Sequence, residues 1–328
     1  MVGNSPTEDL EIAHSLRLSV LQQVSVWQNL YQHAQPEDPD TKFIGMIVQA
    51  APSLRKLHLN VHGFENTFQV VAGLGKMQCL EAFKGSVSHA VHILRHNTQL
   101  TKLVICGHAT TSNSDLQDAL LPAIVELQAA LRLTSLTLSI RERSGTTTMG
   151  FCRRTLELLG KLVSLEQLCL RAIGAQWSMR YHDELRSALK AVSGIRRLAF
   201  SGDCYNFQYP GSQFFHNQPD FGYEPVVLKP VNYAKEMSLL GDVDELSTRD
   251  IFEKVHSHRM LAEARAYRAQ LTRLEWLYIG QHTMFISDGV ITAAHPGHRL
   301  SCKEEGMMLR RVFDVTDIVS KDAYRAWS

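Results

Sequence analysis

The chain has 328 residues, with 34 Lys+Arg against 33 Asp+Glu, 45% hydrophobic and 20% charged residues. That balance excludes a disordered or collagen-like chain, and a net charge of +1 gives no global attraction for nucleic acid. The opening residues, MVGNSPTEDLEIAH, lack a basic stretch leading into an apolar core, and no run of about 20 uninterrupted apolar residues occurs. Neither a secretory leader nor a membrane span is expected, so the expected location is cytoplasmic or nuclear. The cysteines (Cys79, Cys106, Cys152, Cys169, Cys204 and Cys302) never reach C-x-x-C spacing, so no zinc ribbon or thioredoxin-like motif can be written.

In chain order, one short pattern keeps returning: apolar, two residues, apolar, one residue, apolar. A weak copy sits at Leu16-R-Leu18. Clear copies follow at Leu54-R-K-Leu57-H-Leu59, Leu100-T-K-Leu103-V-Ile105, Leu133-T-S-Leu136-T-Leu138, Leu165-E-Q-Leu168-C-Leu170, Ile195-R-R-Leu198-A-Phe200 and Leu274-E-W-Leu277-Y-Ile279. Their middle residues are 46, 33, 32, 30 and 79 apart, a period near 30 with insertions at both ends. The last two apolar residues of each copy alternate with their neighbours, as a strand with one buried face requires.

The intervening segments read as helices over 40–50, 80–95, 115–131, 180–192 and 248–270. Leu80, Phe83, Val87, Val91 and Leu94 make one apolar stripe, and Leu116, Leu120, Ile124, Leu127 and Leu131 another. Ser114-D-L-Gln117 fits a capping box, Ser247-T-R-Asp250 a helix start, and Pro122 marks either a kink or a new start near Leu121. Between Ser201 and Tyr233 the chain turns aromatic and proline-rich, as an insertion into the array. After the last copy, residues 284–293 read as a hairpin about Asp288-Gly289 and 307–313 as a helix, so 281–328 is expected to cap the array.

A strand-helix unit of about 30 residues cannot bury its apolar face alone, whereas stacked copies can. The expected fold is therefore α/β, an irregular leucine-rich-repeat-like solenoid over 1–280. Its curved parallel sheet is expected on the concave side and its helices on the convex side. The copies are too few and too uneven for a closed eight-fold barrel.

By the strand phase, the concave face should carry Lys56, His58, Lys102, Gln167, Arg171, Arg197, Trp276 and Tyr278, with Ser135, Thr137, Ser139, Cys169 and Ala199 between them. Trp, Tyr and Arg are the types most enriched at interface hot spots, so a protein partner is expected there, strongest towards the C-terminal strands. Four cations on one face are too few to argue nucleic acid.

Chemistry-bearing patterns are sparse. His89, His92 and His96 share a helical face opposite the apolar stripe and read as a solvated face rather than a zinc site. Gly73-L-Gly75-Lys76 lacks the Ser/Thr of a phosphate loop. His256 and His258 face different directions, and His295-P-G-His298 lies in a turn. Neither Cys106-G-His108 nor Cys152 has an orienting third group. No catalytic, cofactor or metal residue is assigned; the alternative is a hydrolase-type enzyme using Cys204 and His216 near the aromatic insertion.

The segment LTRLEWLYIGQHTMFI (271–286), followed by LRRVF (309–313), resembles the closing segment of fungal F-box and leucine-rich-repeat-like proteins. PSLRKLHL, LTSLTL and VSLEQLCL match that family's loose repeat, and the resemblance runs from about residue 50 to the end. It implies a substrate-receptor role, with repeats that hold a target and ubiquitin-ligase components as candidate partners. The chain departs from the pattern in having no recognisable leucine-proline-rich F-box ahead of the first repeat.

Overall fold

The structure, a computed structural model, describes residues 22–27, 51–60, 77–105, 112–141, 151–173, 179–201, 248–294, 300 and 302–313. Two compact units divide the chain, the first holding 1–147 and 151–166, the second 148–150 and 167–328.

Every clear copy of the pattern is a strand, and most are entered through the same turn. The amide of the first apolar residue bonds the carbonyl three residues back: Leu54 to Ala51 (3.1 Å), Leu100 to Asn97 (3.2 Å), Leu165 to Leu162 (3.2 Å) and Leu274 to Leu271 (3.0 Å). The next two amides then share one carbonyl of the preceding copy. Arg55 and Lys56 donate to Gln22, Thr134 and Ser135 to Thr101, and Glu275 and Trp276 to Arg196. Because the same position always bonds the same position, the register between neighbouring strands follows from the repeat.

The first unit holds five parallel strands in chain order: β1 (Gln23–Trp27), β2 (Lys56–Asn60), β3 (Ala82–Gly85), β4 (Lys102–Ile105) and β5 (Ser135–Arg141). Leu57, Phe83, Leu103 and Leu136 stand side by side along these ladders, all buried.

Two of these strands add to the sequence reading, and one of them corrects it. The weak copy at 16–18 lies outside the described residues, and the first described strand holds a further copy, Leu21-Q-Q-Val24-S-Val26. The start of the expected helix over 80–95 is β3, in Leu80-E-A-Phe83-K-Gly85, with glycine where the third apolar residue belongs. The 46-residue gap thus contains a further copy, and Val24, Leu57, Phe83 and Leu103 are 33, 26 and 20 residues apart. Asn97 takes the place of the apolar turn residue before β4. Fully buried, it accepts from the Met77 amide (2.8 Å) and donates to the Ile93 carbonyl (3.0 Å), tying the β3 entry turn to the β4 turn.

The helices of this unit are α1 (Val87–His96), α2 (Asn113–Asp115), a π-helical turn (Leu116–Leu120), α3 (Leu121–Leu127) and α4 (Arg153–Leu159). The capping box is Ser112 with Asp115, two residues before the expected Ser114–Gln117 pair. Pro122 sits at the start of α3. Ahead of it the Leu121 amide bonds Leu116 in the wider π pattern, so the missing proline N–H disrupts no existing bond.

The second unit runs β6 (Gln167–Ile173), α5 (Met179–Leu189), β7 (Arg197–Ser201), α6 (Thr248–Gln270) and β8 (Trp276–Ile279). β9 (His282–Ser287), β10 (Val290–Ala293) and α7 (Cys302–Phe313) follow. β6, β7 and β8 are parallel, whereas β8–β9 and β9–β10 are antiparallel hairpins. Both hairpins close with two-residue turns of positive φ, Gly280-Gln281 (54° and 63°) and Asp288-Gly289 (50° and 79°), which suit the twist of antiparallel strands.

Among the described residues neither unit's sheet closes on itself, and the chain is α/β with a mostly parallel sheet. The expected helix over 40–50, the Ser247 start and the aromatic insertion beyond Ser201 lie outside the described residues.

Candidate functional site

Each strand offers two faces. The leucine ladder packs with the helices: in the second unit Phe200 meets the rings of His182 in α5 (5.1 Å) and Tyr267 in α6 (5.4 Å). The other face was expected to be an open concave surface.

In the first unit that face carries Lys56, Ala82, Lys102 and Ser135 in one ladder and His58, Lys84, Val104 and Thr137 in the next. Lys56 is exposed and Lys102 half-buried, so these two expected residues do share an accessible row. One step further in, the face is closed. His58 is only 8% exposed, and Lys84, Val104, Thr137 and Ser139 are buried with it, which corrects the expected exposure of His58.

In the second unit Gln167, Arg197 and Trp276 form one ladder and Cys169, Ala199 and Tyr278 the next. Arg197 is exposed and Gln167 and Arg171 are half-buried, but Trp276 is 7% exposed and Tyr278 fully buried. This corrects the expected hot spot, because the chain's own α7 lies over it. Leu309 and Phe313 of α7 join Cys169, Ala199, Trp276, Tyr278 and Leu300 in one apolar cluster, with Met308 and Val312 at its side. The Phe313 ring meets the Trp276 ring at a steep angle, 5.7 Å between centroids. Strand phase placed Trp276 and Tyr278 on the right face; what it could not show was that another element covers that face.

Sequence reasoning missed a buried polar network on the helix side. Arg186 of α5 bonds Glu263 of α6 and its own neighbour Asp183, and its guanidinium lies 5.4 Å from the Tyr267 ring centre. His182, fully buried, shares a 2.8 Å hydrogen bond between Nδ1 and the Tyr267 hydroxyl. Burial, then the Arg186 charge, holds the His182 imidazole down at about 3, so it is neutral. Burial pushes the Glu263 carboxyl up, against the pull of Arg186. The pairs are 77 and 85 residues apart in sequence, so no local spacing announces them. The network clasps α5 to α6, with Arg186, Glu263, His182 and Tyr267 buried and only Asp183 exposed at its edge, which suits holding helices together rather than turning over a substrate.

The histidine face of α1 also needs correction. His89 is buried, with Ser86 Oγ 2.9 Å from its Nδ1, His92 is half-buried, and only His96 is exposed. The expected stripe took its phase from Leu80 and Phe83, which do not belong to the helix. The true buried side is Val87, His89, Ala90, Ile93 and Leu94. Burial and then the His92 charge hold the His89 ring down at about 4.

Cys152, the N-cap residue of α4, is half-buried in a polar node with Asn113, Gln117 and Thr155, its Sγ 3.2 Å from both Gln117 Oε1 and Thr155 Oγ1. Cys106, His108, Gly73, Lys76, Cys204, His216, His295 and His298 lie outside the described residues. Among the described residues no group of three or more His, Cys, Asp or Glu could hold a metal ion, and no helix is long and apolar enough to cross a membrane.

No protein-family profile matches the chain, and no curated protein matches it. The geometry itself defines a class: an α/β protein whose repeated strands bond in repeat register and whose second unit has α7 packed over part of the sheet face opposite α5 and α6.

Proposed function

We propose that the chain is a non-enzymatic protein-interaction module of the cell interior. On this reading it is a leucine-rich-repeat-like solenoid, resembling the substrate-binding repeats of fungal F-box proteins, with ubiquitin-ligase components among its partners. The observation that carries the reading is the repeat-register ladder. It sets equivalent side chains of successive strands in rows, and the accessible rows are polar and cationic: Lys56 and Lys102 in the first unit, Gln167 and Arg197 in the second. Rows of this kind suit an extended acidic segment of a protein partner, because charge complementarity steers the encounter and sets its register.

The test compares affinity-purified complexes of wild type with Lys56→Glu/Lys102→Glu and Arg171→Glu/Arg197→Glu variants, each checked for an unchanged melting temperature. A stoichiometric partner that crosslinks to the strand rows and is lost on charge reversal supports the reading. A partner kept by both variants sinks it, as does a hydrolytic turnover abolished by Cys204→Ala or His216→Ala.

A further inference from the structure

The second face of the second unit's sheet is built as a trough. Its floor is small, Cys169 on β6 and Ala199 on β7, and its wall is aromatic, Trp276 and Tyr278 on β8, with rings stacked 6.4 Å apart. Bulky residues of α7 fill it, Leu309 and Phe313 one helical turn apart, flanked by Met308 and Val312. The geometry points to a displaceable cover: α7 occupies a site that accepts an amphipathic helix, and a partner's helix with bulky apolar residues at i and i+4 takes its place. This inference rests on the reading of the chain as a protein-binding module.

Three observations carry it. The hydrogen-bond ladders from β6 to β10 involve no atom of α7, and the core on the opposite face draws on α5 and α6, so α7 can lift without breaking either. α7 is 12 residues long with Gly306 in its middle, and a helix of that length is marginal in water once undocked. Its docked state therefore carries an ordering cost that lowers its local stability relative to the sheet.

The third observation is the edge of the trough. The ladder runs on from Trp276 to Phe285 and Thr292, beyond the covered strands. Phe285, the ladder partner of the covered Trp276, is 52% exposed and Val290 64%, an apolar foothold on the strands next to β8. These two exposed apolar side chains, on the same face as the helix-filled trough and interleaved with Ser287 and Thr292, are where an incoming helix would first dock.

Labelling of Cys169 reports on the cover in the isolated chain, so its behaviour is separable from the fate of the charge-reversal test. The full chain is treated with a neutral thiol reagent, the label on each cysteine is read by mass spectrometry, and amide hydrogen exchange in β6–β8 is followed in parallel. Cys169 is expected to label through an opening that leaves the β6–β8 amides protected. Phe313→Ala should speed that labelling about a hundredfold or more, by analogy with other buried aromatic truncations. Leu189→Ala, on the other face of the sheet, should leave it unchanged.

Equal acceleration by both variants, or Cys169 labelling only as fast as the β6–β8 amides exchange, means global unfolding and overturns the inference. The wild-type comparison stands even if a variant fails to fold. A labelled peptide of residues 302–313 should bind saturably to the Phe313→Ala chain and far more weakly to wild type. Absence of that binding overturns the helix-accepting trough.

Discussion

Substituting Gly85 by alanine sets two effects of opposite sign against each other. At a strand position with ordinary backbone angles, Gly→Ala stabilises by roughly 0.4–1 kcal/mol, because it removes freedom from the unfolded chain. Here an added Cβ would stand 2.7 Å from Phe83 Cζ, 3.0 Å from Phe83 Cε1 and 3.4 Å from the Leu59 carbonyl oxygen. The Phe83 ring lies over Gly85, filling the space that the third apolar residue fills in other copies. It is buried and cannot swing outward, and the Leu59 backbone belongs to the neighbouring strand.

Overpacking of this kind costs about 1–3 kcal/mol, so the clash should win and leave a net destabilisation of about 1–2 kcal/mol. Urea unfolding followed by far-UV circular dichroism measures it. Phe83→Leu removes the two clashing ring atoms, so the Gly85→Ala/Phe83→Leu double variant should be more stable than the two singles sum to, by about 1 kcal/mol. A neutral or stabilising Gly85→Ala, or strict additivity with Phe83→Leu, would refute the account of β3 as a repeat closed by its own phenylalanine.

Acid should weaken both units. In the unfolded chain the His89 and His182 imidazoles take up a proton below about 6.5, whereas in the fold they stay neutral down to about 4 and about 3. Stability from each is therefore complete above pH 6.5 and lost as pH falls, by about 2 kcal/mol per histidine at pH 5. Urea midpoints between pH 7.5 and 5 test the sign, and a flat or rising trend would contradict it. Arg186→Met alone strands the buried Glu263 carboxyl and should cost about 3–5 kcal/mol, while Arg186→Met/Glu263→Leu should recover most of that loss in the same assay. Asn97→Ala removes two buried hydrogen bonds and strands the Met77 amide, so thermal unfolding should show a loss of about 2–3 kcal/mol. Asn97→Asp, which keeps the acceptor, should lose less.

Much of the strand plan is legible in the sequence because it is a local code repeated. In Leu54-R-K-Leu57-H-Leu59 and its relatives, a turn bond, a shared carbonyl and two alternating apolar residues all fall within one short segment. Repeating the segment repeats the strand. The copies at β1 and β3 depart from the pattern in one position or in residue type. Gly85 replaces the third apolar residue of β3, and valines replace leucines in β1.

The candidate site was legible only to the level of which side chains share a face. Lys56 and Lys102, and likewise Gln167 and Arg197, do line up in rows, because strand alternation is a property of the backbone. Whether that face stays open is decided by what packs on it, and α7 comes from 302–313 to cover Trp276 and Tyr278. The same holds for His89, exposed by one helical phase and buried by the true one, and for Arg186 with Glu263, 77 residues apart.

By itself the sequence determined the α/β character, most of the parallel strands and which of their residues share a face, since local spacing dictates which residues alternate. Only the tertiary structure decided which polar side chains are buried, which charges meet, and which element closes the second face of the second unit's sheet. Those outcomes depend on segments far apart in the chain, whose mutual burial is a property of the whole packed unit rather than of any window of residues.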